Sequence, residues 1–570
     1  MRFLALVTDY DGTLAENGKV SARTVNTLRQ LREGGRRLVL VTGRELSDLV
    51  PLFPEHTLFD RIVGENGGVL WAPDSREVKL LGEPPPEGFV ERLRELGVPV
   101  SVGRVIVATH EPHETTVLDV IRELGVELQV IFNKGAVMIL PSGVNKATGL
   151  RAALAELGLS AHNAVAVGDA ENDHTLLSEC EAAVAVDNAL PTLKERADWV
   201  TRGESGDGVA ELAEQLLTTD LRELSPRLRR HDVAIGKTPS GDDVTVQPYG
   251  PRILVCGASG SGKSTLVTTF LEGLSDSGYR YCLIDPEGDF TNAPAALVVG
   301  DERKEPTADE VIEVLRAGES SVVANLLGVA LAERPRVLSP LLARLMENRI
   351  RYGTPHFIVV DEAHHMMPEG DVTLSEALAS VTHSVLLVTV HPERIAKSVL
   401  EQLDHVFVVG KNAGEPLRAF AERANVGLPV SAEELAAGEV YYWQRAAPDR
   451  VARFRVLAPK TERRRHQRKY ASGELGEDKS FYFRGPEGSL NLRAHNLSLF
   501  LQIAEGVDDA TWTHHLLRHD YSRWLKDAIK DEALSKAVFA VEADRSLAAS
   551  PRESRRRIRC AIEDLYTLPA

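Results

Sequence analysis

The stretch FLALVTDYDGTL, residues 3–14 of this 570-residue chain, is an apolar run that ends in two aspartates and a glycine. Such a run predicts a buried strand followed by a tight turn. RRLVLVTGR at 36–44 and NAVAVGDAENDHTLL at 163–177 repeat this arrangement of an apolar run and polar residues around a glycine. Open α/β sheets place their ligands beyond the carboxyl ends of the strands. We therefore expect three strands that converge on one acidic crevice.

The polar residues at these strand ends follow a recognisable order along the chain. That order is Asp9, Asp11, Thr42, Lys146, Asp169, Asn172 and Asp173. It resembles the four motifs of the haloacid dehalogenase superfamily of phosphotransferases. ENGG at 65–68 and residues 197–217 resemble its subgroup of sugar-phosphate and phosphoglycolate phosphatases. The resemblance implies a Rossmann-like phosphatase domain over residues 1–220, with a small phosphorylated substrate such as a sugar phosphate or phosphoglycolate.

The residue types suit hydrolysis of a phosphate monoester. A phosphate dianion repels a carboxylate nucleophile, so the site needs a divalent cation and a fixed positive charge. The resemblance implies that Asp9 is the nucleophile and forms an aspartyl-phosphate. It implies that Asp11 protonates the leaving oxygen and then activates water. Thr42 would donate a hydrogen bond to the phosphoryl group, and Lys146 would supply the compensating charge.

The resemblance also implies a Mg²⁺ site. Asp169 would hold the ion together with Asp9 and the backbone carbonyl of Asp11, and Asp173 would act behind these ligands or through water. Hard oxygen ligands that leave water on the metal fit Mg²⁺. Three residues that belong to or adjoin the motifs are the expected substrate contacts: Gly43, Arg44 and Asn172.

Residues from about 83 to 141 interrupt the predicted sheet. Two segments there have helical spacing, and the others predict strands, the last two joined at an Asn-Lys-Gly turn. The pattern predicts a small α/β cap, which in the resembled family covers the site and selects the substrate. Arg104, His110 and Lys134 are candidate substrate contacts, and each is equally consistent with a solvated surface residue.

A second domain is predicted at 231–458, because turn residues and short β runs indicate a boundary near 221–231. RILVCGASGSGKST at 252–265 has the strand, glycine-rich loop and helix start of a P-loop NTPase. Lys263 is expected to reach the terminal phosphates of ATP and Ser264 to hold Mg²⁺. The expected ATP-binding residues of this loop are Gly257, Ser259, Gly260, Ser261, Gly262, Lys263, Ser264 and Thr265.

A further apolar strand, in HFIVVDEAHH at 356–365, ends in Asp361 and Glu362. Asp361 is expected to orient Mg²⁺ through water, and Glu362 to be the base that polarises the attacking water. A hydrolase needs this second carboxylate, whereas a small-molecule kinase usually does not. His391, at the end of another apolar run, is the expected polar sensor of the bound nucleotide.

Together these segments resemble the HerA/FtsK class of ATPases, which form rings and often pump DNA. The resemblance implies a homo-oligomer through this domain. It also implies an arginine finger from a neighbouring subunit. The candidates, each also consistent with an ordinary surface arginine, are Arg394, Arg418 and Arg423.

Three departures separate the chain from that class. The usual N-terminal β-barrel is reduced to residues 231–250, position 391 is His where Gln is expected, and no basic DNA-facing loop is evident. The resemblance therefore favours an ATPase more strongly than a motor.

The rest of the chain predicts a linker at 459–480 and an all-helical domain at 481–570, which serves interaction or oligomerisation. The linker's basic run lacks interleaved aromatic residues, so solvation is favoured over nucleic-acid binding. Trp512 and Trp524 are expected in the helical core. For four histidines, a position on a helix surface is favoured over a metal site, because no carboxylate or further histidine completes a ligand set. These are His495, His514, His515 and His519.

Composition excludes several classes of protein. With 43% hydrophobic and 26% charged residues the chain is typical of soluble globular proteins. A net charge of −17 argues against a protein that coats nucleic acid by charge alone. The longest apolar runs are strand-length and the N-terminus lacks a signal-peptide pattern, so we expect a cytoplasmic protein with no membrane partner.

Several functions remain consistent with these motifs. The first is a Mg²⁺-dependent phosphatase fused to a regulatory or mechanical ATPase. The second is a nucleic-acid processing ATPase or translocase with an end-trimming phosphatase. The third is a nucleotide-gated oligomeric switch, and the fourth is a kinase paired with the phosphatase.

Overall fold

The computed structural model describes residues 1–318, 320–366, 381, 383–427, 434–448, 450–460, 479–486, 488, 490–529 and 531–566. The chain divides into two compact units, Met1–Lys460 and Thr461–Ala570, each of which is described by itself. Within the described ranges, no helix combines the length and apolar character needed to cross a bilayer.

The first unit begins with an eight-stranded sheet. Its strands are β1 (Ala5–Thr8), β2 (Arg37–Val41), β3 (Arg61–Gly64), β4 (Val69–Ala72), β5 (Glu77–Leu80), β10 (Ala164–Gly168), β11 (Ala182–Ala185) and β12 (Trp199–Val200). The order is β12-β11-β10-β1-β2-β3-β4-β5, parallel from β12 to β3 and antiparallel beyond. The three predicted strands are β1, β2 and β10, which lie side by side in the sheet.

The predicted interruption folds as a separate four-stranded antiparallel sheet. Its strands, in the spatial order β6-β7-β9-β8, are β6 (Ser101–Val102), β7 (Val107–His110), β8 (Leu128–Asn133) and β9 (Ala136–Pro141). Two helices pack with it around a small core of their own: α3 (Phe89–Glu95) and α4 (Glu114–Leu124).

Six helices accompany the larger sheet. They are α1 (Ala22–Glu33), α2 (Leu46–Leu52), α5 (Lys146–Leu157), α6 (His174–Glu179), α7 (Pro191–Lys194) and α8 (Ser205–Thr219). Helix α5 begins where the Asn145 side chain accepts a hydrogen bond from the Thr148 amide. It ends at Gly158, whose positive φ of 68° suits a left-handed helix cap. This cap places Lys146 in the first turn, next to the sheet.

An eleven-stranded sheet follows in the same unit. Its strands are β13 (Val233–Lys237), β14 (Asp243–Val246), β15 (Arg252–Cys256), β16 (Tyr281–Asp285), β17 (Ala296–Val299), β18 (Ser321–Asn325), β19 (Phe357–Val360), β20 (Val385–Thr389), β21 (His405–Val409), β22 (Glu439–Gln444) and β23 (Val451–Val456). The order is β14-β13-β23-β22-β21-β15-β20-β19-β16-β18-β17. The hairpin β13–β14, in place of a barrel, extends one end of this sheet.

The helices of this part are α9 (Lys263–Asp276), α10 (Ala308–Ala317), α11 (Arg334–Tyr352), α12 (Ala363–Met366), α13 (Lys397–Leu400) and α14 (Gly414–Ala424). Strand β20 lies between β15, which leads into the glycine-rich loop, and β19, which leads into Asp361. All three strands are parallel, so the loop, Asp361 and His391 lie at one edge of the sheet.

The second unit consists of a short hairpin and helices. The hairpin joins β24 (Phe481–Phe483) to β25 (Leu492–Ala494), and it precedes the helices that the sequence predicts. These are α15 (Leu497–Gly506), α16 (Asp509–Leu517), α17 (Asp520–Trp524), α18 (Glu532–Ala543), α19 (Arg545–Ala548) and α20 (Pro551–Tyr566). Trp512 and Trp524 belong to the core of this unit, 1% and 8% exposed. The predicted multidomain α/β fold with C-terminal helices is confirmed.

Candidate active sites

The first acidic crevice forms where three adjacent strands end. Asp9 directly follows β1, Thr42 follows β2 and Asp169 follows β10. Strand β1 pairs in parallel with both neighbours, and the Asp9 amide continues this ladder by donating to the Val167 carbonyl at 3.1 Å. The sheet therefore brings together side chains that are more than 150 residues apart in the sequence.

Lys146 is the central cation of this crevice. Its side chain is 1% exposed, and Nζ donates to Asp9 Oδ1 at 2.5 Å and to Asp173 Oδ1 at 2.7 Å. Burial acts to lower the pKa of Lys146, but the carboxylates of Asp173 and Asp9 outweigh burial and raise it. A buried ammonium is stable only when paired in this way. Lys146 thus remains charged and holds two of the acidic residues in place.

The three aspartates differ in the partners they have. Asp173 Oδ2 accepts the amides of Asp169 at 2.9 Å and Ala170 at 3.0 Å, so both of its oxygens are engaged. Asp169 accepts the Thr13 hydroxyl at 2.8 Å. Burial raises the pKa of Asp9 to about 7, against the effect of Lys146. The positive charge around Asp9 is therefore not sufficient to keep its carboxyl group fully ionised at neutral pH.

These carboxylates fit a hard divalent cation. Ligand oxygens of Asp9, Asp169 and Asp173 lie within 4.8 Å of one another. An added cation would stabilise the ionised form of Asp9, which burial disfavours. Since Asp173 is already engaged by amides and Lys146, Asp9 and Asp169 are the residues that could hold Mg²⁺ directly.

Two predicted residues pair with each other across the crevice. Arg44, an expected substrate contact, binds Asp11 through Nε–Oδ2 and Nη2–Oδ1 bonds of 2.7 Å each. The Asp11 hydrogen bond raises the pKa of Arg44 further. Thr42 is buried, and its hydroxyl accepts the Arg44 amide at 3.1 Å. Gly43 lies between them in the chain, with Met138 of the small sheet 2.9 Å from its would-be Cβ.

Asn172 meets a residue that the motif assignment omitted. Its amide donates to Asn66 Oδ1 at 3.1 Å, while Asn172 Oδ1 and Asn66 Nδ2 are buried without hydrogen-bond partners. Such unpaired polar atoms are costly unless a ligand completes them. Asn66 has a positive φ of 53° in the ENGG loop, and this loop was the sequence signal for it. The pair is suited to contact a polar substrate.

Glu65, in the same loop, links the large sheet to the cap. Its buried carboxylate accepts the amides of Arg104, Val105 and Ile106 at 3.1, 2.8 and 3.1 Å. Arg104 thus contributes its main chain to this link. The sequence signal for Glu65 was again the ENGG stretch, although its spacing gave no indication of a partner forty residues away.

One candidate cap residue reaches the crevice. Lys134, at the turn between β8 and β9, donates from Nζ to Asp169 Oδ2 at 2.5 Å. A Cβ on Gly12 would lie 2.8 Å from the same ammonium, so only glycine leaves room for it. His110 instead contacts the Glu111 carbonyl at 2.8 Å. The cap therefore adds a cation above the carboxylates.

The second candidate site is the glycine-rich loop after β15. Gly257 has a φ of 149°, and a Cβ there would lie 2.1 Å from the Val409 carbonyl oxygen. Gly262 begins α9 with a φ of 109°, which leaves Lys263 in the first turn. Lys263 Nζ donates to the carbonyls of Gly257 at 2.9 Å and Ala258 at 3.2 Å. The lysine side chain is thus folded over the loop that would receive phosphate.

The acidic residues Asp361 and Asp285 of this second site are buried. Burial raises the pKa of Asp361 well above its usual range, and the charges of Glu362 and Asp285 add to the effect. Burial also raises the pKa of Asp285 to about 6. A crowded set of carboxylates such as this fits a site that receives a cation.

A chain of polar groups runs beside Glu362. The His391 amide donates to Thr389 Oγ1 at 2.9 Å, Thr389 Oγ1 lies 3.1 Å from His364 Nδ1, and that nitrogen lies 3.4 Å from Glu362 Oε2. The His391 side chain turns to Glu393 Oε1, 2.9 Å from its Nδ1. Thr389 and His364 were missed by the sequence analysis, although His364 stands in the DEAHH stretch.

The remaining candidates lie elsewhere. Arg394 acts electrostatically on His364 and His365, whereas Arg418 Nε donates to the Gly414 carbonyl of its own helix at 3.2 Å. In the second unit, His515 bonds to the Arg484 amide and to Asp520, each at 2.9 Å. Among the described residues of that unit, no histidine belongs to a group of three potential metal ligands. Most of the basic linker, 461–478, lies outside the described residues.

Comparison with known proteins identifies the families of the two parts of the chain that contain these sites. Residues 6–83 and 103–212 match the haloacid dehalogenase-like hydrolase family, and residues 249–397 match an AAA domain family. A phosphoglycolate phosphatase of Methanothermobacter thermautotrophicus is 32% identical over 37% of this chain and 98% of its own length. One from Haloarcula marismortui is 32% identical over 36% of this chain and 94% of its own.

Among solved structures, a haloacid dehalogenase-like hydrolase from Bacteroides thetaiotaomicron is 23% identical to this chain. It is matched over 38% of this chain and 99% of its own, with a TM-score of 0.34. The family matches and the curated relatives show that the N-terminal part is a haloacid dehalogenase-type phosphatase domain, which an AAA-type P-loop domain follows. Over residues 6–83 and 103–212, the chain belongs to the haloacid dehalogenase-like hydrolases.

Proposed function

We propose that residues 1–220 form a Mg²⁺-dependent phosphomonoester hydrolase that works through an aspartyl-phosphate on Asp9. The observation that carries this proposal is the buried contact of Lys146 with Asp9 and Asp173, beside Asp169, at the ends of adjacent strands. A carboxylate nucleophile, a fixed cation and acidic metal ligands are the groups that phosphoryl transfer to a carboxylate requires.

The roles of the side chains follow from this geometry. Mg²⁺, held by Asp9 and Asp169, would neutralise charge on the transferring phosphoryl group. Lys146 keeps Asp9 oriented toward the crevice, and Thr42 presents a buried hydroxyl at the end of β2. Asp11 is more exposed, at 46% of its side chain, and can reach a leaving oxygen that faces solvent. It would give that oxygen a proton and recover one from the attacking water.

We infer that the substrate is a small phosphorylated acid or sugar. The relatives named phosphoglycolate phosphatase support this class. Lys134 and the Asn66–Asn172 pair offer one cation and two unpaired polar atoms beside the carboxylates. A carboxylate or hydroxyl next to the phosphate ester would match them.

We further propose that residues 231–458 hydrolyse ATP with Mg²⁺ and regulate or power the phosphatase. Support comes from the contact of His162 with the Ser277 carbonyl at 2.7 Å. Ser277 caps α9, which begins at the P-loop residue Lys263, so the phosphatase part contacts the far end of the nucleotide-binding helix. We expect a HerA/FtsK-like homo-oligomer through this domain. A nucleotide-gated oligomeric switch, a kinase and a nucleic-acid translocase are alternative functions for it.

Three proteins separate these activities. Phosphate release from phosphoglycolate, a panel of sugar phosphates and ATP would be measured with Mg²⁺ for wild type, Asp9→Asn and Lys263→Ala, with and without DNA. We expect Asp9→Asn to abolish monoester hydrolysis alone and Lys263→Ala to abolish ATP hydrolysis. Monoesterase activity that survives in Asp9→Asn would refute the nucleophile assignment. ATP hydrolysis stimulated by DNA would favour the translocase, and slower monoester hydrolysis in Lys263→Ala would support regulation.

A further inference from the structure

A cluster of two histidines and a glutamate lies outside both candidate active sites. Ligand atoms of His162, Glu181 and His231 lie within 4.8 Å of one another. Two imidazoles and one carboxylate form a donor set that Zn²⁺ prefers and that Mg²⁺ does not. We propose that these three residues form a Zn²⁺ site, which fastens the phosphatase part to the first residues of the P-loop part.

His231 presents a free ligand atom. Its Nε2 is buried and has no hydrogen-bond partner. The backbone of Cys180 interacts with the same ring by hydrogen bonding, so that bond involves Nδ1. A proton on Nδ1 leaves the lone pair on Nε2. Metal-binding histidines commonly donate their other ring N–H to a carbonyl in this manner, which fixes the tautomer and aims the lone pair.

His162 has the same arrangement with its nitrogens exchanged. Nε2 lies 2.7 Å from the Ser277 carbonyl, which can only accept, so Nε2 carries a proton. Nδ1 lies 2.9 Å from Glu181 Oε2. The ring stacks on Tyr279 at a centroid distance of 3.7 Å, which restricts its rotation. Zn²⁺ would accept the Nδ1 lone pair.

Glu181 supplies the negative charge of the cluster. It is 2% exposed, and the Arg2 guanidinium binds its Oε1, which leaves Oε2 directed toward the histidines. The Tyr279 hydroxyl donates to Oε2 at 2.5 Å. Ligand bonds of about 2.0–2.2 Å set ligand atoms roughly 3.5 Å apart around tetrahedral Zn²⁺. Side-chain movements of about 1 Å would therefore close the site, and water would fill the fourth position.

The position of the site defines its effect. Glu181 directly precedes β11 of the phosphatase sheet, and His231 stands two residues before β13 of the second sheet. Ser277 and Tyr279, which surround the site, follow the P-loop helix α9. A bound Zn²⁺ would therefore hold one junction between the two sheets rigidly, without touching either nucleotide or phosphate monoester.

Metal binding to the full chain tests this proposal. The protein would be stripped with chelator, supplied with excess Mg²⁺ to fill the oxygen sites, and titrated with Zn²⁺ or Co²⁺. The metal content and the visible d–d absorption of Co²⁺ are the readouts. We expect one tightly held Zn²⁺ per chain and a tetrahedral Co²⁺ spectrum. His231→Asn, which retains a donor for the Cys180 carbonyl but lacks Nε2, should bind Zn²⁺ at least about tenfold more weakly.

His514→Asn is the matched control, since it removes a histidine from the other compact unit. Circular dichroism would establish that each variant is folded, and Glu181→Gln provides a second loss of a ligand. Wild-type protein that holds no Zn²⁺ under these conditions would overturn the proposal. Equal Zn²⁺ affinity in wild type and folded His231→Asn would also overturn it.

Discussion

Arg44 holds the carboxylate of Asp11 by two parallel hydrogen bonds, each 2.7 Å long. A guanidinium fork of this kind fixes the orientation of a carboxyl group. Asp11 follows β1 and Arg44 follows β2, so the pair bridges two neighbouring strand ends. The proposed acid and base of the phosphatase is thereby positioned by a residue that the sequence analysis assigned only to substrate.

The first prediction concerns this pair. Arg44→Lys keeps the positive charge but loses the fork, so Asp11 becomes free to rotate. We expect kcat for phosphomonoester hydrolysis to fall about ten- to a hundredfold, because small displacements of a catalytic group have effects of this size. Arg23→Lys, at an exposed ion pair with Glu214, is the control. A kcat for Arg44→Lys equal to that of wild type would contradict the positioning role.

Lys134 is predicted to compete with Mg²⁺. Its ammonium occupies Asp169 Oδ2, a carboxylate oxygen that the proposed metal also needs. Lys134→Ala removes this competitor, so we expect half-maximal phosphatase activity at a several-fold lower Mg²⁺ concentration. The KM for substrate should rise, since the cap loses its cation. Lys19→Ala, at an exposed lysine, controls for the change in net charge. An unchanged Mg²⁺ requirement would show that Lys134 does not compete with Mg²⁺ for Asp169.

The predictable part of the phosphatase site is the part that sheet geometry determines. Apolar runs identify β1, β2 and β10, and the polar residues after them must meet because parallel strands end at one edge. Lys146 was assigned by resemblance alone, since nothing in the spacing shows that the capped start of α5 faces Asp9.

Several unpredicted contacts depend on how separate substructures pack. Lys134 reaches Asp169 only because the β8–β9 turn lies over the crevice, and no local pattern encodes that position. Glu65 accepts main-chain amides of the cap, which carry no side-chain signature. His162 looks like an ordinary loop histidine until Ser277, 115 residues later, is placed against it. Tertiary packing, and not propensity, decides these contacts.

A prediction on pH concerns His383 in the P-loop part. Burial lowers its pKa to about 3, and nearby Arg349, the chain's N-terminal amine, Arg2 and Arg252 add to that effect. The unfolded state binds a proton below its usual pKa of 6.5 while the folded state does not, so stability is lost as the pH falls. From about pH 7 to about pH 5 this histidine alone should lower the free energy of unfolding by about 2 kcal/mol.

Chemical denaturation at the two pH values measures this loss. The His383→Asn protein should lose about 2 kcal/mol less than wild type over the same interval. An equal loss in both proteins would mean that the neutral state of His383 contributes nothing to acid sensitivity.

Thr389 is predicted to position the His364 ring beside Glu362, the proposed base for ATP hydrolysis. Its hydroxyl accepts the His391 amide at 2.9 Å and lies 3.1 Å from His364 Nδ1, which in turn faces Glu362. Since a main-chain amide can only donate, the hydroxyl proton is free to be given to His364. Thr389→Val keeps the shape and removes this bond, so the His364 ring beside Glu362 loses a fixed orientation. We expect kcat for ATP hydrolysis to fall about tenfold with little change in KM.

Thr389→Ser, which retains the hydroxyl, should restore most of the rate. A rise in KM without a fall in kcat, or a Ser variant as slow as the Val variant, would show that Thr389 serves packing and not the orientation of His364.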